Sequence, residues 1–498
     1  TGSSKDKTVS TTGLFITMVE SNNISAKEIL SSTEGEQKAV KDIILSENPA
    51  LSAEYSEDIE TAKTIIINDI EKGLISVRQL TLILFEQGVI TGDEDYINSV
   101  RSGSKSALTV VLEKLRSGDL KPYETGLDPC TGSVVVSKVD SGETLALVTY
   151  PSYDNNRLVN TFDNDYYNSL LQDPSTPLVN RPLSEKKAPG STLKMVTSLA
   201  GLETGVISPN TTIYDQVSFT KAGWPYAKCW ISGSGSHGAI NVSHALEVSC
   251  NYFFYETMYR MGNAQDNTTL NSIKTLNEYM TIFGLNTYTG IEIGETTPNM
   301  ASAEYKERTI KSQNPDASSS QTRWTDGDSI RAGIGQSVNN FTAANMAKYI
   351  ATLANGGTLY KMHIIDKVDN PDGTTFKEVE EVVENVHEFK QENLDAVYEG
   401  MLLVTQGSKG TLRNAFRDFP IDVAGKSGTA QQSSLRSDHT LFVGFAPYED
   451  PQISVAVMVP FGDSSVSPAP AIAKEVIAEY MGLNYQPEND YMENILAE

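Results

Sequence analysis

The last third of this 498-residue chain contains three runs of β-branched and apolar residues, at 422–431, 440–446 and 453–459. Runs of this kind predict three successive strands, and the helical spacing of apolar residues at 470–481 predicts a helix after them. Strands late in the chain that are packed by helices from its middle form an α+β layer architecture. We therefore expect an α+β fold in which an antiparallel sheet is flanked by helices.

Earlier segments supply the other elements of this predicted domain. The runs at 133–139 and 144–150 are separated by a polar turn and predict a β-hairpin. Residues 191–202 follow Pro189-Gly190 and are apolar almost all round, which is typical of a helix buried in the centre of a domain. Residues 301–325 are polar, and we expect an insertion without regular structure there. Further helices are predicted at 241–261, with Asn241 as the N-cap, at 341–354 and at 394–405.

The N-terminal quarter of the chain has a different composition. From 24 to 121 it is rich in Glu, Lys, Leu and Ile, with apolar residues at helical spacing, which predicts several short helices. The character changes at Leu127-Asp128-Pro129. We predict a mainly helical accessory region at 1–124, a main domain at 125–485 and a C-terminal tail at 486–498, without internal repeats.

Charge and cysteine usage exclude several classes of function. The formal net charge of -25 argues against a nucleic-acid partner, because nucleic-acid binding requires clustered Lys and Arg. Cys130, Cys229 and Cys250 are too scattered for a disulfide framework or a Cys-x-x-Cys metal site. We interpret Cys229 and Cys250 as small buried side chains and predict no bond between them. The histidines show no ligand spacing and no triad partner, so we expect no metal and no cofactor.

The sequence also bears on membrane association. No window approaches the ~20 consecutive apolar residues that a membrane-spanning helix requires. The first residues, Thr1 to Lys7, contain neither an initiator Met nor a signal peptide. We therefore expect a trimmed piece of a longer natural protein.

Ser191-Thr192-Leu193-Lys194 is an S-x-x-K pattern that recurs elsewhere in the chain, but only here does Pro-Gly precede the serine and an apolar helix follow it. A helix places Lys194 one turn after Ser191, within reach of a hydrogen bond. Burial favours the neutral form of lysine, which can take the proton of a serine nucleophile. The helix N-terminus also offers a backbone N–H to an oxyanion. Taken alone, the pattern also fits an N-cap followed by an ordinary helix lysine.

Two further patterns gain meaning from this one. Ser249-Cys250-Asn251 lies inside a predicted apolar helix, where Ser and Asn need partners for their polar groups. A proton relay and a substrate-binding amide would satisfy them, and so would a structural hydrogen bond between helices. Lys426-Ser427-Gly428 occurs once, on a predicted strand. Small residues there let a peptide approach the strand backbone, although an ordinary edge strand with a lysine has the same pattern.

In chain order, these three patterns resemble the transpeptidase domain of class B penicillin-binding proteins. The resemblance extends from about 127 to 482, and Ser427 departs from it slightly, since many relatives have Thr there. No glycosyltransferase-like module or wall-binding repeat is apparent, which disfavours a bifunctional class A enzyme. Other supporting stretches are Asn180-Arg181-Pro182-Leu183, Ala188-Pro189-Gly190, His237-Gly238, Gly333-Ile334-Gly335-Gln336, Ala354-Asn355-Gly356-Gly357-Thr358 and Phe442-Val443-Gly444-Phe445-Ala446-Pro447.

The resemblance implies a covalent mechanism without metal or cofactor. Ser191 would be acylated by the penultimate D-Ala of a peptidoglycan stem peptide or by a β-lactam, with Lys194 as its base. Ser249 would pass a proton towards the leaving amine, and Asn251 would bind a substrate amide.

The resemblance also implies how the carboxylate end of the substrate is held. Lys426 and Thr429 would bind the terminal carboxylate, beside the small residues Ser427 and Gly428. The backbone N–H groups of Ser191 and Thr429 would form the oxyanion hole.

As a whole, the family implies a monofunctional D,D-transpeptidase at the extracytoplasmic face of the bacterial cytoplasmic membrane. Its substrates would be stem peptides of the lipid-linked precursor, its inhibitors β-lactam antibiotics, and its partner a membrane glycosyltransferase. The natural protein would carry an N-terminal anchor that these 498 residues do not include.

Other functions stay open at this point. A D,D-carboxypeptidase would share every residue named above, and a β-lactam sensor or scaffold would be acylated without turnover. A serine β-lactamase needs a group that activates water, and Glu392 is a poor candidate because it begins a predicted helix close to the third pattern. Residues 233–238 match G-x-G-x-x-G, but no apolar strand leads into them, and we interpret them as a loop beside the active site.

Overall fold

The computed structural model describes residues 11–47, 59–120, 122–125, 131–266, 270–430, 438–462 and 468–483. The chain divides into two compact units, Thr1–Cys130 and Thr131–Glu498. Predictions for residues 1–7, for Leu127-Asp128-Pro129, for Cys130 and for the tail at 486–498 lie outside the described residues, and the domain borders at 124/125 and 485/486 stay predictions. Within the described ranges, no helix combines the length and the apolar composition needed to cross a membrane.

The first unit is helical throughout its described residues, as predicted. Its helices pack apolar faces into one core that includes Phe15, Ile66 and Leu84. Ser76 and Ser106 cap the helices that follow them, because each side chain accepts a hydrogen bond from a backbone N–H of the first turn. The helices are Thr11–Glu20, Ala26–Ser31, Gly35–Glu47, Ile59–Glu71, Val77–Glu86, Glu94–Arg101 and Ala107–Arg116, followed by a 3-10 turn at Pro122–Thr125.

Four successive helices of this unit end in the same way. Gly73, Gly88, Gly103 and Gly118 follow the helices at intervals of 15 residues, with φ of 74°, 68°, 80° and 74°. Each glycine N–H donates to the carbonyl three residues earlier, which is a helix C-cap that a left-handed glycine permits. The expectation that the chain has no internal repeat is therefore wrong for this unit.

A five-stranded antiparallel sheet lies at the centre of the second unit, which confirms the α+β prediction. Its order is β3-β4-β5-β1-β2, with all neighbours antiparallel. The predicted hairpin is β1 and β2, and the three predicted C-terminal strands are β3, β4 and β5. The K-S-G pattern lies on β3, an edge strand of this sheet. The strands are β1 Gly132–Lys138, β2 Thr144–Tyr150, β3 Ala424–Ala430, β4 His439–Ala446 and β5 Ile453–Val459.

The two faces of the sheet belong to two hydrophobic cores. Val443 of β4 faces the larger core, and the buried helix Ala343–Ala354 packs on the sheet there. Phe442, the preceding residue, faces a second core with helix Pro468–Tyr480. Successive side chains of a strand point to opposite faces of the sheet, so neighbouring residues join different cores. In the larger core lies helix Lys194–Glu203, buried along its whole length up to its last residue, as the sequence predicts.

The other elements surround these layers. The remaining helices are Asn164–Gln172, Arg181–Ser184, Val242–Glu247, Asn251–Asp266, Leu270–Ile282, Ala303–Gln313, Ser319–Thr322, Asp326–Ala332, Gln391–Gln406 and Arg413–Phe416, with 3-10 turns at Asn155–Leu158 and Gly190–Leu193. Short strands pair as Ile213–Tyr214 with Ala239–Ile240, Ser218–Phe219 with Ala227–Lys228, Thr358–Tyr360 with Val383–Val386, and Lys367–Asp369 with Thr375–Glu378.

Two sequence predictions about the second unit are wrong. The helix expected at 241–261 is two helices, Val242–Glu247 and Asn251–Asp266, although Asn241 caps the first as predicted. Ser249 has φ of 52°, and this left-handed residue ends the first helix. Residues 301–325 are not without structure, because strong helix formers and the cap Ser302 produce helix Ala303–Gln313 even though none of its residues is buried.

Candidate active site

Ser191 lies in the 3-10 turn Gly190–Leu193, directly before the buried helix that Lys194 begins. Two hydrogen bonds hold this turn in place. The N–H of Gly190 donates to the carbonyl of Gly335 over 3.0 Å, and the hydroxyl of Thr192 donates to the carbonyl of Pro189 over 2.6 Å. Gly190 has φ of 55°, a conformation that glycine adopts without strain.

Strand β3 lies directly against this turn. A Cβ atom on Gly190 would approach the carbonyl oxygen of Thr429 to 2.5 Å. A Cβ on Gly428 would approach the carbonyl oxygen of Pro189 and a methyl group of Thr192 to 2.8 Å each. The two glycines therefore allow a close approach of two backbones, and the structure brings the S-x-x-K and K-S-G patterns together.

Lys194 is fully buried and joins the first two patterns. Its Nζ donates to the carbonyl of Ser249 at 2.8 Å, to the hydroxyl of Ser249 at 3.1 Å and to the Oδ1 atom of Asn251 at 2.7 Å. Burial lowers the pKa of Lys194 from 10.5 to about 8. Among the described residues no hydrogen bond joins Lys194 to the Ser191 hydroxyl, so that predicted contact stays a prediction.

Lys426 is a second fully buried lysine near the first. Burial, together with the charge of Lys194, holds the pKa of Lys426 well below its usual value. Its Nζ donates to the carbonyl of Ser427 at 3.0 Å. Two neighbouring buried cations oppose each other, and a negatively charged ligand beside them would favour the charged form of both.

The segment from Val248 to Cys250 lies between two helices, and Asn251 begins the second of them. The indole N–H of Trp230 donates to the carbonyl of Val248 at 3.1 Å. Together with the bonds from Lys194, this contact fixes the segment from outside. Ser249 and Asn251 therefore face the cleft from a break in the helix, where their polar groups have partners.

These groups surround one cavity of about 550 Å³, a size typical of a small-molecule or peptide site. Ser191, Ser249, Asn251 and the residues 427–429 all line it. Sequence reasoning missed several of its other residues. Trp230 and Thr411 had no pattern to mark them, whereas Gln336 lies in a stretch that the family resemblance includes. The remaining lining residues are Ile334, Leu412, Asp438, Thr440, Leu441 and Pro470.

A cluster of four potential metal ligands lies behind the Ser249 segment. Ligand atoms of Asp215, Cys229, His237 and Cys250 lie within 4.8 Å of one another. His237 Nδ1 lies 2.7 Å from Asp215 Oδ2, and the Sγ atoms of Cys229 and Cys250 are 3.8 Å apart and not bonded. The hydrogen bond from Cys250 lowers the pKa of the Cys229 thiol below its usual value. The spacing of the histidines along the chain gave no sign of these neighbours of His237.

This donor set fits Zn²⁺, which takes four ligands from Cys, His and Asp in structural sites. His237 Nδ1, the nitrogen near Asp215, also lies 3.5 Å from the Sγ atom of Cys229, so this side of the ring faces the other potential ligands. The sequence did not reveal the cluster because its members come from a short strand end, two loops and the helix break. Cys250 stands between Ser249 and Asn251, so an ion held here would fix that segment.

Comparisons with known proteins add to this geometry. Residues 132–478 match the family described as the penicillin binding protein transpeptidase domain. The peptidoglycan D,D-transpeptidase MrdA of Escherichia coli strain K12 is 33% identical over 358 residues, which cover 68% of this chain and 52% of MrdA. The chain thus spans about half the length of the curated relatives it matches.

Solved structures with the same fold are also similar in sequence. The crystal structure of Pseudomonas aeruginosa PBP2 in complex with WCK 5153 has a TM-score of 0.61 and 29% identity, covering 73% of this chain and 74% of PBP2. A chain from a structure described as the structural coordination of polymerization and crosslinking by a peptidoglycan synthase complex has a TM-score of 0.60 and 27% identity, covering 72% of this chain and 57% of its own.

Proposed function

The chain belongs to the class B penicillin-binding proteins, and we propose that it is a peptidoglycan D,D-transpeptidase that acts through an acyl-serine intermediate on Ser191. The observation that carries the proposal is the convergence of three separate patterns on one cavity. Ser191, Ser249 and the edge strand β3 come from distant parts of the sequence, and all of them line it. The family match at 132–478 includes all three.

The first step needs a base for the Ser191 hydroxyl, and Lys194 is suited to it. A pKa of about 8 leaves part of Lys194 neutral near pH 7.5. A neutral amine has two hydrogens and one lone pair, so it gives up one of the three bonds to Ser249 and Asn251. The lone pair can then accept the proton of Ser191 as its oxygen attacks the carbonyl carbon of the penultimate D-Ala.

Strand β3 is suited to hold the substrate in an extended conformation. It lies at the edge of the sheet, and among the described residues no strand pairs with its outer side, so a peptide can add to it through main-chain hydrogen bonds. Ser427 and Thr429 point away from the buried face that Lys426 and Gly428 occupy. Lys426 and Thr429 hold the terminal carboxylate, and the N–H groups of Ser191 and Thr429 stabilise the oxyanion.

The leaving D-Ala requires a proton on its amine. The Ser249 hydroxyl, bonded to Lys194, relays this proton from the lysine to the leaving nitrogen as the peptide C–N bond breaks. The Asn251 amide binds the stem peptide beside it. An acceptor amine then attacks the acyl carbon, Ser249 and Lys194 take up its proton, and Ser191 is released with a new peptide bond formed.

The proposal extends to ligands and partners. β-lactams resemble the terminal peptide in reactivity and acylate the same serine. The similar chain in a complex for polymerization and crosslinking favours a membrane glycosyltransferase as partner. The enzyme therefore works on stem peptides of the lipid-linked precursor, at the extracytoplasmic face of the membrane.

A coupled assay tests this function. The protein is incubated with a partner glycosyltransferase and lipid-linked precursor, and the digested product is separated by mass. A transpeptidase gives dimeric muropeptides, which a β-lactam abolishes. A carboxypeptidase gives only monomers that have lost one D-Ala, and a sensor gives unchanged monomers, so either result would overturn the proposal. Rapid hydrolysis of penicillin would indicate a β-lactamase.

A further inference from the structure

One cavity residue outside the three patterns stands next to the substrate strand. Thr411 is exposed and lines the cavity. Its hydroxyl oxygen lies 3.4 Å from that of Ser427, which is on the open face of β3. Thr411 belongs to the segment Gly407–Leu412, called here the 407–412 loop, which leaves helix Gln391–Gln406 and leads to the cavity.

A buried acid holds this loop. Glu247 is 3% exposed, and its Oε1 atom accepts a hydrogen bond from the N–H of Lys409 at 2.9 Å. Its main-chain carbonyl accepts from the N–H of Thr411 at 3.3 Å. Two loop N–H groups are thus bound by one residue. A hydrogen bond between a buried carboxylate and a backbone N–H is a strong positional restraint, because a movement that breaks the bond leaves the carboxylate and the N–H without partners.

The packing around Glu247 leaves the loop little freedom. A Cβ on Gly407 would collide with the Glu247 carboxylate, so the loop starts in direct contact with it. At the other end, the N–H of Leu412 donates to the carbonyl of Val404 at 2.9 Å. Glu247 ends the helix that precedes Ser249. The loop is therefore anchored to the same element that leads into the S-x-N pattern.

We propose that Thr411 is a substrate-binding residue that donates a hydrogen bond to the terminal carboxylate, and that Glu247 is the residue that positions it. This inference rests on the proposed function. A carboxylate offers about four acceptor sites, and residues 411, 427 and 429, which all carry hydroxyl groups, line the cavity, with those of 411 and 427 lying 3.4 Å apart. The buried Lys426 supplies the positive charge, and hydrogen bonds from the hydroxyl groups fix the orientation of the carboxylate. The loop thereby selects donors whose leaving group carries a carboxylate.

Two thioester donors test Thr411. Both carry the same acyl-D-Ala group, but one releases mercaptoacetate, which has a carboxylate, and the other ethanethiol, which has none. We expect Thr411→Val to lower kcat/KM for the mercaptoacetate donor about tenfold, as for a lost hydrogen bond to a charged group, and to leave the ethanethiol donor within twofold. Thr411→Ser should restore the preference. Equal effects on both donors, or none on either, would overturn the proposal.

Glu247 is tested by the same pair of donors. Glu247→Ala should also lower kcat/KM for the mercaptoacetate donor selectively, through a higher KM. The double variant should lose no more than Thr411→Val alone, since both substitutions act on the contact between Thr411 and the carboxylate. Glu247→Gln, whose amide oxygen still accepts from Lys409, should retain the preference. The matched control is Glu203→Ala. Glu203 accepts a hydrogen bond from the N–H of Lys390 at 3.0 Å, at the start of helix Gln391–Gln406, whereas the 407–412 loop follows the end of that helix. A selective loss in the control would refute the positioning role of Glu247.

The two proposals fail in different ways. If neither donor acylates Ser191 in the unmodified protein, the transpeptidase function itself is wrong. If both donors acylate it but the variants change no preference, only the role of Thr411 and Glu247 is wrong.

Discussion

The two serines of the cavity stand on segments that are held in different ways. The turn around Ser191 is held mostly by backbone groups, through Gly190 and its contacts with Gly335 and β3, and by one hydrogen bond from the Tyr349 hydroxyl to the carbonyl of Thr192. The segment around Ser249 is fixed by side chains from elsewhere, namely Lys194, Trp230 and the cluster that includes Cys250. Few substitutions of side chains should therefore displace Ser191, whereas a substitution at any of these three neighbours should displace Ser249.

This difference separates two tasks. The nucleophile must meet the carbonyl carbon in a narrow range of positions, and a turn built from close backbone contacts provides that. The relay group must exchange protons with Lys194 and with two different amines, so its position depends on contacts with other side chains. Substitutions in the two segments should therefore have unequal effects.

Removal of Lys194 should have the largest effect, because this residue serves both segments. We expect Lys194→Met to lower the rate of acylation by penicillin roughly 10³-fold, in the range for loss of a general base. The matched control is Lys348→Met, at a lysine that is 2% exposed and does not line the cavity. Stopped-flow measurement with a fluorescent penicillin distinguishes the two, and a Lys194→Met rate within tenfold of the unmodified protein would refute its role as base.

A methyl group on Gly190 tests the backbone contacts of the first segment. Gly190→Ala brings a Cβ to 2.5 Å from the carbonyl oxygen of Thr429 at a φ of 55°. A displacement of about 1 Å there should slow acylation on the order of 100-fold. Gly205→Ala is the control, since its φ of 74° is similar but nothing lies within 4 Å. Gly205→Ala should lower the free energy of unfolding by about 1 kcal/mol and leave the acylation rate unchanged. Equal acylation rates in the two variants would contradict the account.

Removal of metal should affect the second segment less strongly. We expect the protein to bind one Zn²⁺ at Asp215, Cys229, His237 and Cys250, and a chelator to lower the unfolding temperature by several degrees and acylation about tenfold. Co²⁺ in its place should show thiolate absorption bands, which weaken in Cys250→Ser, because only the Cys229 thiolate remains, and keep their intensity in Cys130→Ser. Absence of bound metal after dialysis, with an unfolding temperature that the chelator leaves unchanged, would show that the cluster is not a metal centre.

A change of pH close to the pKa of Lys194 should have the smallest effect on the acylation rate. Since the neutral form of Lys194 is the base, acylation should rise about tenfold per pH unit below its pKa of about 8 and level off above it. Stability should respond as well. Between pH 8 and the unfolded value of 10.5 the unfolded chain binds more protons than the folded one, so the free energy of unfolding rises with pH across this window. Lys194→Met should remove the pH dependence of acylation and reduce the slope of stability, to which the buried Lys426 also contributes. A rate that falls with pH would contradict the assignment.

The same contrast explains what could be predicted from sequence. The sheet, the buried helix after Ser191 and the cap Asn241 depend on local patterns, and these predictions are confirmed. The break at Ser249 and the metal-ligand cluster were missed, because both depend on residues brought together by the fold. Thr411 carries no local signal for the same reason. The approach of β3 to Ser191 followed from the family resemblance and not from the residues alone.

The central claim is that Ser191 is the acylated nucleophile. The most direct measurement is intact mass spectrometry after exposure to penicillin, followed by peptide mapping, on the unmodified protein and on Ser191→Ala. We predict one covalent adduct on the peptide that contains Ser191, and none in the variant. An unmodified protein without an adduct, or an adduct that persists in Ser191→Ala, would contradict the mechanism.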